Sequence, residues 1–256
     1  MIYHDIAHVL HVASEKGNLA LVKSLIEYGC DKDLKSSDGW TPLIRASYND
    51  HLEIVKYLIS VGADKEAKDN DGWTPLIRAS YNDHLEIVKY LISVEADKEA
   101  KDNDGWTPLI RASYNDQFEI VKYLISVGAD KEAKDNNGYT PLIRASYNDH
   151  LEIVKYLISV GADKEAKDND GWTPLIRASY NDQFEIVKYL ISVGADKEAK
   201  DNFGWTPLIR ASYNDQFENV KYRVSKGAFS TALYMRLLKE IYADYKYIIK
   251  NMNICI

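Results

Sequence analysis

Apolar and polar residues follow two short helical patterns that recur along this chain. In the unit 69–101, a turn sequence precedes a Thr-Pro pair and a short run of apolar and small residues. Threonine is a favourable N-cap and proline is favourable at the first helical position, so Thr74 and Pro75 predict a helix that ends near Tyr81. Apolar residues then recur at helical spacing over 84–94, and this spacing predicts a second helix.

The ends of these helices carry residues that fit tight turns. Asp83 stands between the two helices, where we expect a left-handed backbone, and together with Glu86 it predicts a capping box for the second helix. The second helix is usually followed by glycine, namely Gly62, Gly128, Gly161 and Gly194. Glycine adopts the left-handed conformation freely. Glu95 replaces it in one unit, so we expect strain at this position.

One decapeptide fixes the period of the whole pattern. Thr-Pro-Leu-Ile-Arg-Ala-Ser-Tyr-Asn-Asp occurs six times at intervals of 33 residues, beginning at Thr41, Thr74, Thr107, Thr140, Thr173 and Thr206. A single helix pair cannot bury both of its faces, so the units must stack. The predicted fold class is therefore an all-α solenoid of about seven repeats with an additional C-terminal helix. The predicted boundaries are 1–37 for an N-terminal capping repeat, 38–229 for six repeats with a degenerate last copy, and 230–256 for the C-terminal helix.

The two ends of the chain depart from the pattern. The first unit carries His4, His8 and His11 at helical spacing, and we interpret them as outward polar residues because no carboxylate or thiol completes a metal site. The last segment is amphipathic and basic over 231–252. We expect it to cover the end of the final repeat, and a helix that binds a membrane surface or a partner is the alternative.

Composition narrows the class of protein. The 256 residues are 46% hydrophobic and 28% charged, as in a folded soluble chain, and the net charge is −7. The negative charge is spread over the repeats, which disfavours binding to nucleic acid. Cys30 and Cys255 lie near opposite ends and predict no disulfide. No membrane span or signal peptide is indicated, so the expected location is cytoplasmic, with the nucleus as the alternative.

The repeats carry no recognisable catalytic, cofactor or metal signature. The sequence Asp102-Asn103-Asp104-Gly105 is similar to a calcium loop, but Ala100 stands where an acid is required. The Asp and Glu residues are interpreted as a solvated surface rather than as paired acids and bases. We therefore expect no enzymatic activity, no cofactor, no metal and no small-molecule substrate.

The repeated residues resemble the ankyrin repeat family over roughly residues 5–229. Asp69, Gly72, Thr74-Pro75-Leu76 and Ala79 match the family pattern, and Gly161-Ala162-Asp163 matches its end. The resemblance implies a protein-binding role, with partners along the concave face made by the hairpin tips and the inner helices. The family's histidine after Thr-Pro-Leu is isoleucine in the six copies, so we expect apolar packing to replace a polar network between repeats.

The family pattern, carried over to matching positions, predicts rows of Trp, Arg and Tyr on this face. The candidate residues are Trp40, Trp73, Trp106, Tyr139, Trp172 and Trp205; Arg45, Arg78, Arg111, Arg144, Arg177 and Arg210; Tyr48, Tyr81, Tyr114, Tyr147, Tyr180 and Tyr213; and Phe203. These residue types dominate binding hot spots, and Phe203 is the best single candidate for a local anchor. Identical residues in register could equally stack on one another and stabilise the array, and the two roles are compatible.

The sequence thus favours a non-enzymatic, monomeric module that binds an unidentified protein partner. A structural spacer or self-associating scaffold without a specific ligand is the alternative. Irregular substitutions, such as the alternation of His and Gln at position 51 and its equivalents, argue against a designed consensus array.

Overall fold

A computed structural model describes residues 2–213 of the chain. Every regular element in that part is an α-helix, which confirms the all-α prediction. The helices are α1 (Ile2–Glu15), α2 (Leu19–Glu27), α3 (Pro42–Tyr48), α4 (Leu52–Ser60), α5 (Pro75–Tyr81), α6 (Leu85–Ser93), α7 (Pro108–Tyr114), α8 (Phe118–Ser126), α9 (Pro141–Tyr147), α10 (Leu151–Ser159), α11 (Pro174–Tyr180), α12 (Phe184–Ser192) and α13 (Pro207–Tyr213). The predicted C-terminal helix at 230–256 and the end of the last repeat lie outside the described residues.

The first helix of each repeat begins where the Thr-Pro pair predicts it. In α5, the hydroxyl of Thr74 accepts a hydrogen bond of 3.2 Å from the Ile77 amide, and Pro75 is the first helical residue. This bond satisfies one of the amides that have no partner inside the helix. The helix ends at Tyr81, also as predicted.

The predicted capping box of the second helix is wrong. Asp83 has the expected left-handed conformation, with φ of 64°, but the residue at the N-cap of α6 is His84. The His84 side chain makes no capping bond. Asp83 therefore contributes its left-handed backbone to the sharp turn between the helices, and its side chain does not cap α6.

The helices form two layers that run along the array. Odd-numbered helices pack on the odd-numbered helices of neighbouring repeats, even-numbered helices do the same, and the two helices of each repeat pack together. The apolar stripe of α6, formed by Ile87, Val88 and Leu91, is fully buried. Ile77 is also fully buried, which confirms that apolar packing replaces the expected histidine.

His11 occupies, in the first repeat, the position that is isoleucine in the six copies. Its Nε2 lies 2.9 Å from both the Leu34 and the Trp40 carbonyl oxygens, and the side chain is buried. The interpretation of His11 as an outward polar residue is therefore wrong, because its ring links the first repeat to the following hairpin. His8 is exposed, whereas the side chain of His4 lies outside the described part.

Hairpin loops join the repeats and are bonded to one another. The Asp69 amide donates to the Trp73 carbonyl at 3.1 Å and closes one hairpin. Across to the preceding hairpin, the Asn70 side-chain amide donates to the Ser37 carbonyl at 3.0 Å. Equivalent bonds follow at Asn103, Asn136, Asn169 and Asn202. Each hairpin is thus bound to its counterpart 33 residues away.

A second row of bonds comes from lysine. Lys68 Nζ donates to the Lys101 carbonyl at 2.7 Å, and Lys101 in turn donates to the Lys134 carbonyl at 2.9 Å. The other members of the row are Lys35, Lys134 and Lys167.

Across residues 2–213, no helix is both long enough and apolar enough to cross a membrane.

Replacing Glu95 with glycine should raise the free energy of unfolding by up to about 1 kcal/mol. Glu95 has φ of 63°, whereas glycine stands at the equivalent position 128, with φ of 80°. Glycine relieves the strain of the left-handed backbone. Chemical denaturation measures the change. The matched control is Glu95→Ala, which removes the same carboxylate without freeing the backbone, and equal stabilisation by both variants would contradict this explanation.

Candidate functional site

The predicted aromatic and arginine residues lie together on one side of the array. We call this surface the hairpin face and define it by Trp73, Arg78 and Tyr81 together with their equivalents in the other repeats. The Trp73 residue closes a hairpin, and Arg78 and Tyr81 lie one turn apart on α5. The rings of Trp73 and Tyr81 meet edge to face at 5.1 Å, so hairpin and helix are joined by an aromatic contact in the same repeat.

The arginines stack between tryptophans of successive repeats. The guanidinium carbon of Arg111 lies 4.0 Å from the ring of Trp73 and 4.0 Å from the ring of Trp106. Arg78 lies in the same way 4.4 Å from Trp40 and 4.1 Å from Trp73. We call this alternating stack of arginines and aromatic rings the ladder. It continues through Arg144, Arg177 and Arg210, and Tyr139 takes the place of a tryptophan in one repeat. Cation–π contacts of this kind stabilise the stack of repeats.

Each arginine of the ladder also forms an ion pair with a buried aspartate. Arg78 Nε donates to Asp69 Oδ2 at 3.0 Å, and the Asp69 side chain has no exposed surface. Its other oxygen, Oδ1, accepts from the amides of Asp71 and Trp73 at 3.0 and 2.9 Å. The same arrangement recurs at Asp102, Asp135, Asp168 and Asp201. The interpretation of all carboxylates as a solvated surface is therefore wrong for this row.

We call the Trp, Arg and Tyr residues that one repeat contributes to the hairpin face a station. The first station, formed by Trp40, Arg45 and Tyr48, differs from the others. Ser36 stands where the later repeats have the buried aspartate, and Arg45 instead pairs with Glu15 at 3.1 Å and with Asp38 at 3.3 Å. Partial burial raises the pKa of Asp38, but hydrogen bonds from the Ser36 hydroxyl and from backbone amides, together with the Arg45 charge, hold it below its usual value. Arg45 therefore lacks the fully buried carboxylate partner that the other arginines have.

Exposure differs among the predicted residues. Arg78, Arg111, Arg144, Arg177 and Arg210 are buried, as are the rings of Trp106 and Trp172. The remaining tryptophans and Tyr139 are half-buried. Burial raises the pKa of Tyr139, which the neighbouring guanidinium of Arg177 partly offsets. The tyrosine row offers more surface, and Tyr48 and Tyr147 are each 38% exposed.

Phe203 lies at the last described hairpin. It is 73% exposed, and the guanidinium carbon of Arg210 is 5.6 Å from its ring. The other hairpins carry Asp or Asn at this position, so Phe203 gives this station an apolar surface of its own. Its role as an anchor stays a prediction.

Two further rows of carboxylates border the face; the resemblance to ankyrin repeats already placed Asp71 among the hairpin positions that meet a partner, whereas Asp50 and its equivalents were interpreted only as turn residues. Asp71, Asp104 and Asp170 lie at the hairpin tips, and Asp50 and its equivalents lie in the turns after the tyrosines. Asp71 Oδ2 is 3.9 Å from Arg78 Nη2, and its side chain is 78% exposed. The tip position is Asp in four of the six copies, with Asn137 and Phe203 as the exceptions, and the turn position is Asp in all six.

The described residues hold no group of three or more His, Cys, Asp or Glu side chains that could bind a metal ion. The hairpin face offers instead a regular surface of aromatic edges and carboxylates on a rigid base of buried ion pairs. Aromatic side chains and exposed charges are groups that protein interfaces use for contact and orientation.

Comparisons with known proteins agree with this architecture. A comparison of the chain with curated proteins found no significant match. A family model described as ankyrin repeats (3 copies) matches residues 10–102, 94–168 and 160–232. The matched segments run through the hairpins and helices described above and cover most of the chain. The chain therefore belongs to the ankyrin repeat family.

Proposed function

We propose that this protein is a non-enzymatic module that binds a protein partner along the hairpin face. Ankyrin repeats are generally protein–protein interaction modules. The observation that carries the proposal here is the row of partly exposed tyrosines, of which Tyr48, Tyr81, Tyr114 and Tyr180 each contact a tryptophan ring edge to face at about 5 Å. Rigid aromatic side chains bind at a low entropic cost because they are already ordered before the partner arrives.

The buried arginines have a supporting role in this proposal. Their guanidinium groups are stacked between rings and paired with buried carboxylates, so they fix the positions of the aromatic side chains. Tyrosine and the exposed tip residues would then supply the contacts with the partner.

A monomeric state and a cytoplasmic location complete the proposal. The one cysteine among the described residues, Cys30, is a free thiol, as is usual in a reducing compartment.

The proposal predicts that removing tyrosines from the face abolishes capture of a partner without unfolding the array. The test compares native protein with the triple variant Tyr81→Ala, Tyr114→Ala and Tyr147→Ala in affinity capture from lysate followed by mass spectrometry. Arginine variants are unsuitable because they would leave buried aspartates unpaired.

The matched control changes Lys89, Lys122 and Lys155 to alanine. These lysines belong to the same three repeats but lie on the even-numbered helices, in exposed pairs with Glu86, Glu119 and Glu152. Circular dichroism confirms that both variants are folded. We expect the native chain and the lysine variant to capture the same protein in similar amounts. The tyrosine variant should capture at least about tenfold less of it. Equal capture by all three chains would reject the hairpin face as the binding surface.

A structural spacer is the second candidate, and the ladder itself favours it. Arginine side chains stack between repeats, and asparagine and lysine side chains donate hydrogen bonds between them; a spacer that holds its length without a ligand would need such contacts. A spacer tolerates the tyrosine variant in every assay of function, because its role depends on the length of the array and on its stability.

A further inference from the structure

The charges that remain exposed on the hairpin face are predominantly negative. At one station, Arg78 is the nearest guanidinium to two carboxylates, those of Asp69 and Asp71. Asp69 alone neutralises the arginine, at an Nε–Oδ2 distance of 3.0 Å in a buried pair. Asp71 is left with a partner at 3.9 Å and with most of its side chain in water.

Each repeat also has one lysine at the base of its hairpin that keeps its positive charge, so it offsets one of the two exposed carboxylates, at the tip and in the turn, and leaves the face negative. Lys68 Nζ, at the base of the hairpin, donates to the Lys101 carbonyl at 2.7 Å. In the turn row, His84 Nδ1 lies 3.6 Å from Asp50 Oδ1, and His150 Nδ1 lies 3.5 Å from Asp116 Oδ1. Both aspartates still expose more than half of their side-chain surface.

One member of the turn row, Asp149, also lies near a second carboxylate. Partial burial raises the pKa of Asp149, His150 opposes this effect, and the carboxylate of Glu185 raises the pKa further. A cation that approached this row from outside would relieve that repulsion. The tyrosines adjoin both rows along the chain, since Tyr81 contacts Trp73 of the hairpin and precedes Asp83 of the turn row by two residues.

The distance between neighbouring stations determines which spacing of side chains a bound segment needs. Neighbouring helices pack about 10 Å apart, so one station follows another at about that distance along the face. A segment in the extended polyproline II conformation advances about 3.1 Å per residue with three residues per turn, so three residues span one repeat and every third side chain lies on the same side. A side chain at every third position of such a segment would meet equivalent stations in succession.

We propose that the occupant of the hairpin face is an extended basic segment of a partner protein, with Lys or Arg at about every third residue. This inference rests on the proposed function and specifies the chemistry of its partner. Each cation lies over a tyrosine ring, between one tip carboxylate and one turn carboxylate, where cation–π and charge contacts act together. The station at Asn137 and Tyr139 lacks the tip carboxylate and binds its cation more weakly.

The test measures fluorescence anisotropy with three labelled peptides. One has lysine at every third position with serine and glycine between, one has the same composition with the lysines consecutive, and one has glutamate in place of lysine. Each is titrated with the full chain and with the variant Asp71→Asn, Asp104→Asn and Asp170→Asn. Asparagine occurs naturally at position 137 in this series, so the repeat accommodates the change.

The matched control is Glu86→Gln, Glu119→Gln and Glu152→Gln. It removes the same number of negative charges from the exposed even-numbered helices. We expect the spaced lysine peptide to bind the native chain and the control alike, to lose about tenfold or more in affinity for the aspartate variant, and to bind more weakly as salt is raised. The consecutive lysine peptide should bind several-fold more weakly than the spaced one.

Equal affinity of the spaced peptide for both variants, equal affinity of the two lysine peptides, or preference for the glutamate peptide would each overturn the inference. These outcomes are separate from failure of the proposed function. A partner lost from the tyrosine variant, together with no binding of the basic peptides, would leave the binding role intact and exclude this partner chemistry.

Discussion

Replacing Arg111 with alanine should lower the free energy of unfolding by about 3–5 kcal/mol. The change leaves Asp102 buried without its cation, although the amides of Asp104 and Trp106 still donate to its Oδ1 at 2.9 Å. It also removes the guanidinium between the rings of Trp73 and Trp106. Urea denaturation followed by circular dichroism measures the loss.

The chain contains a matched control for this prediction. Arg45 belongs to the same helix position but pairs with Glu15 and Asp38, both of which are in contact with water. Arg45→Ala should therefore lower the free energy of unfolding by no more than about 1 kcal/mol. Similar losses in the two variants would mean that the buried aspartate is neutralised or solvated once its arginine is gone.

Replacing Gly72 with alanine should lower the free energy of unfolding by about 2–4 kcal/mol, the sum of backbone strain and a steric clash. Gly72 has φ of +79°, and an added Cβ would lie 2.7 Å from the backbone nitrogen of Asn103 and 2.5 Å from its Oδ1. The neighbouring hairpin would have to move, which would break the bond from Asn103 to the Asn70 carbonyl. Thermal and urea denaturation both report the change.

Gly128→Ala separates the two contributions. Its φ is +80°, but an added Cβ meets no atom within 4 Å, so only the backbone strain of about 1 kcal/mol is expected. A smaller loss for Gly72→Ala than for Gly128→Ala would show that the hairpins do not approach each other as closely as described.

Most of the fold could be predicted because each repeat carries its own local signals. Thr74 and Pro75 begin a helix, glycine at Gly62 ends the preceding one, and the period of 33 residues dictates stacking. The capping box failed because Asp83 is the residue that turns the backbone. From local sequence alone, that aspartate could cap the following helix or adopt the left-handed conformation of the turn. In the folded repeat it does the second and not the first.

The sequence predicted which residues share a face and that they could stack in register, but it did not predict their ion pairs. The rows of Trp, Arg and Tyr do share one face. The partner of Arg78 is Asp69, nine residues earlier and in a different element, and no helical spacing links the two. Stacking of Arg111 on Trp73 joins two repeats, so it depends on how the units are placed against each other rather than on either unit alone.

The bonds between hairpins allow the number of units to change. If residues 69–101 were excised, Asn103 would donate to the Ser37 carbonyl, as Asn70 does at present, because both asparagines present the same amide to the same kind of acceptor. No junction of a new type would arise. Recombination between near-identical stretches of the coding sequence can therefore lengthen or shorten the array while it preserves every kind of contact, and the extent of the hairpin face changes in proportion.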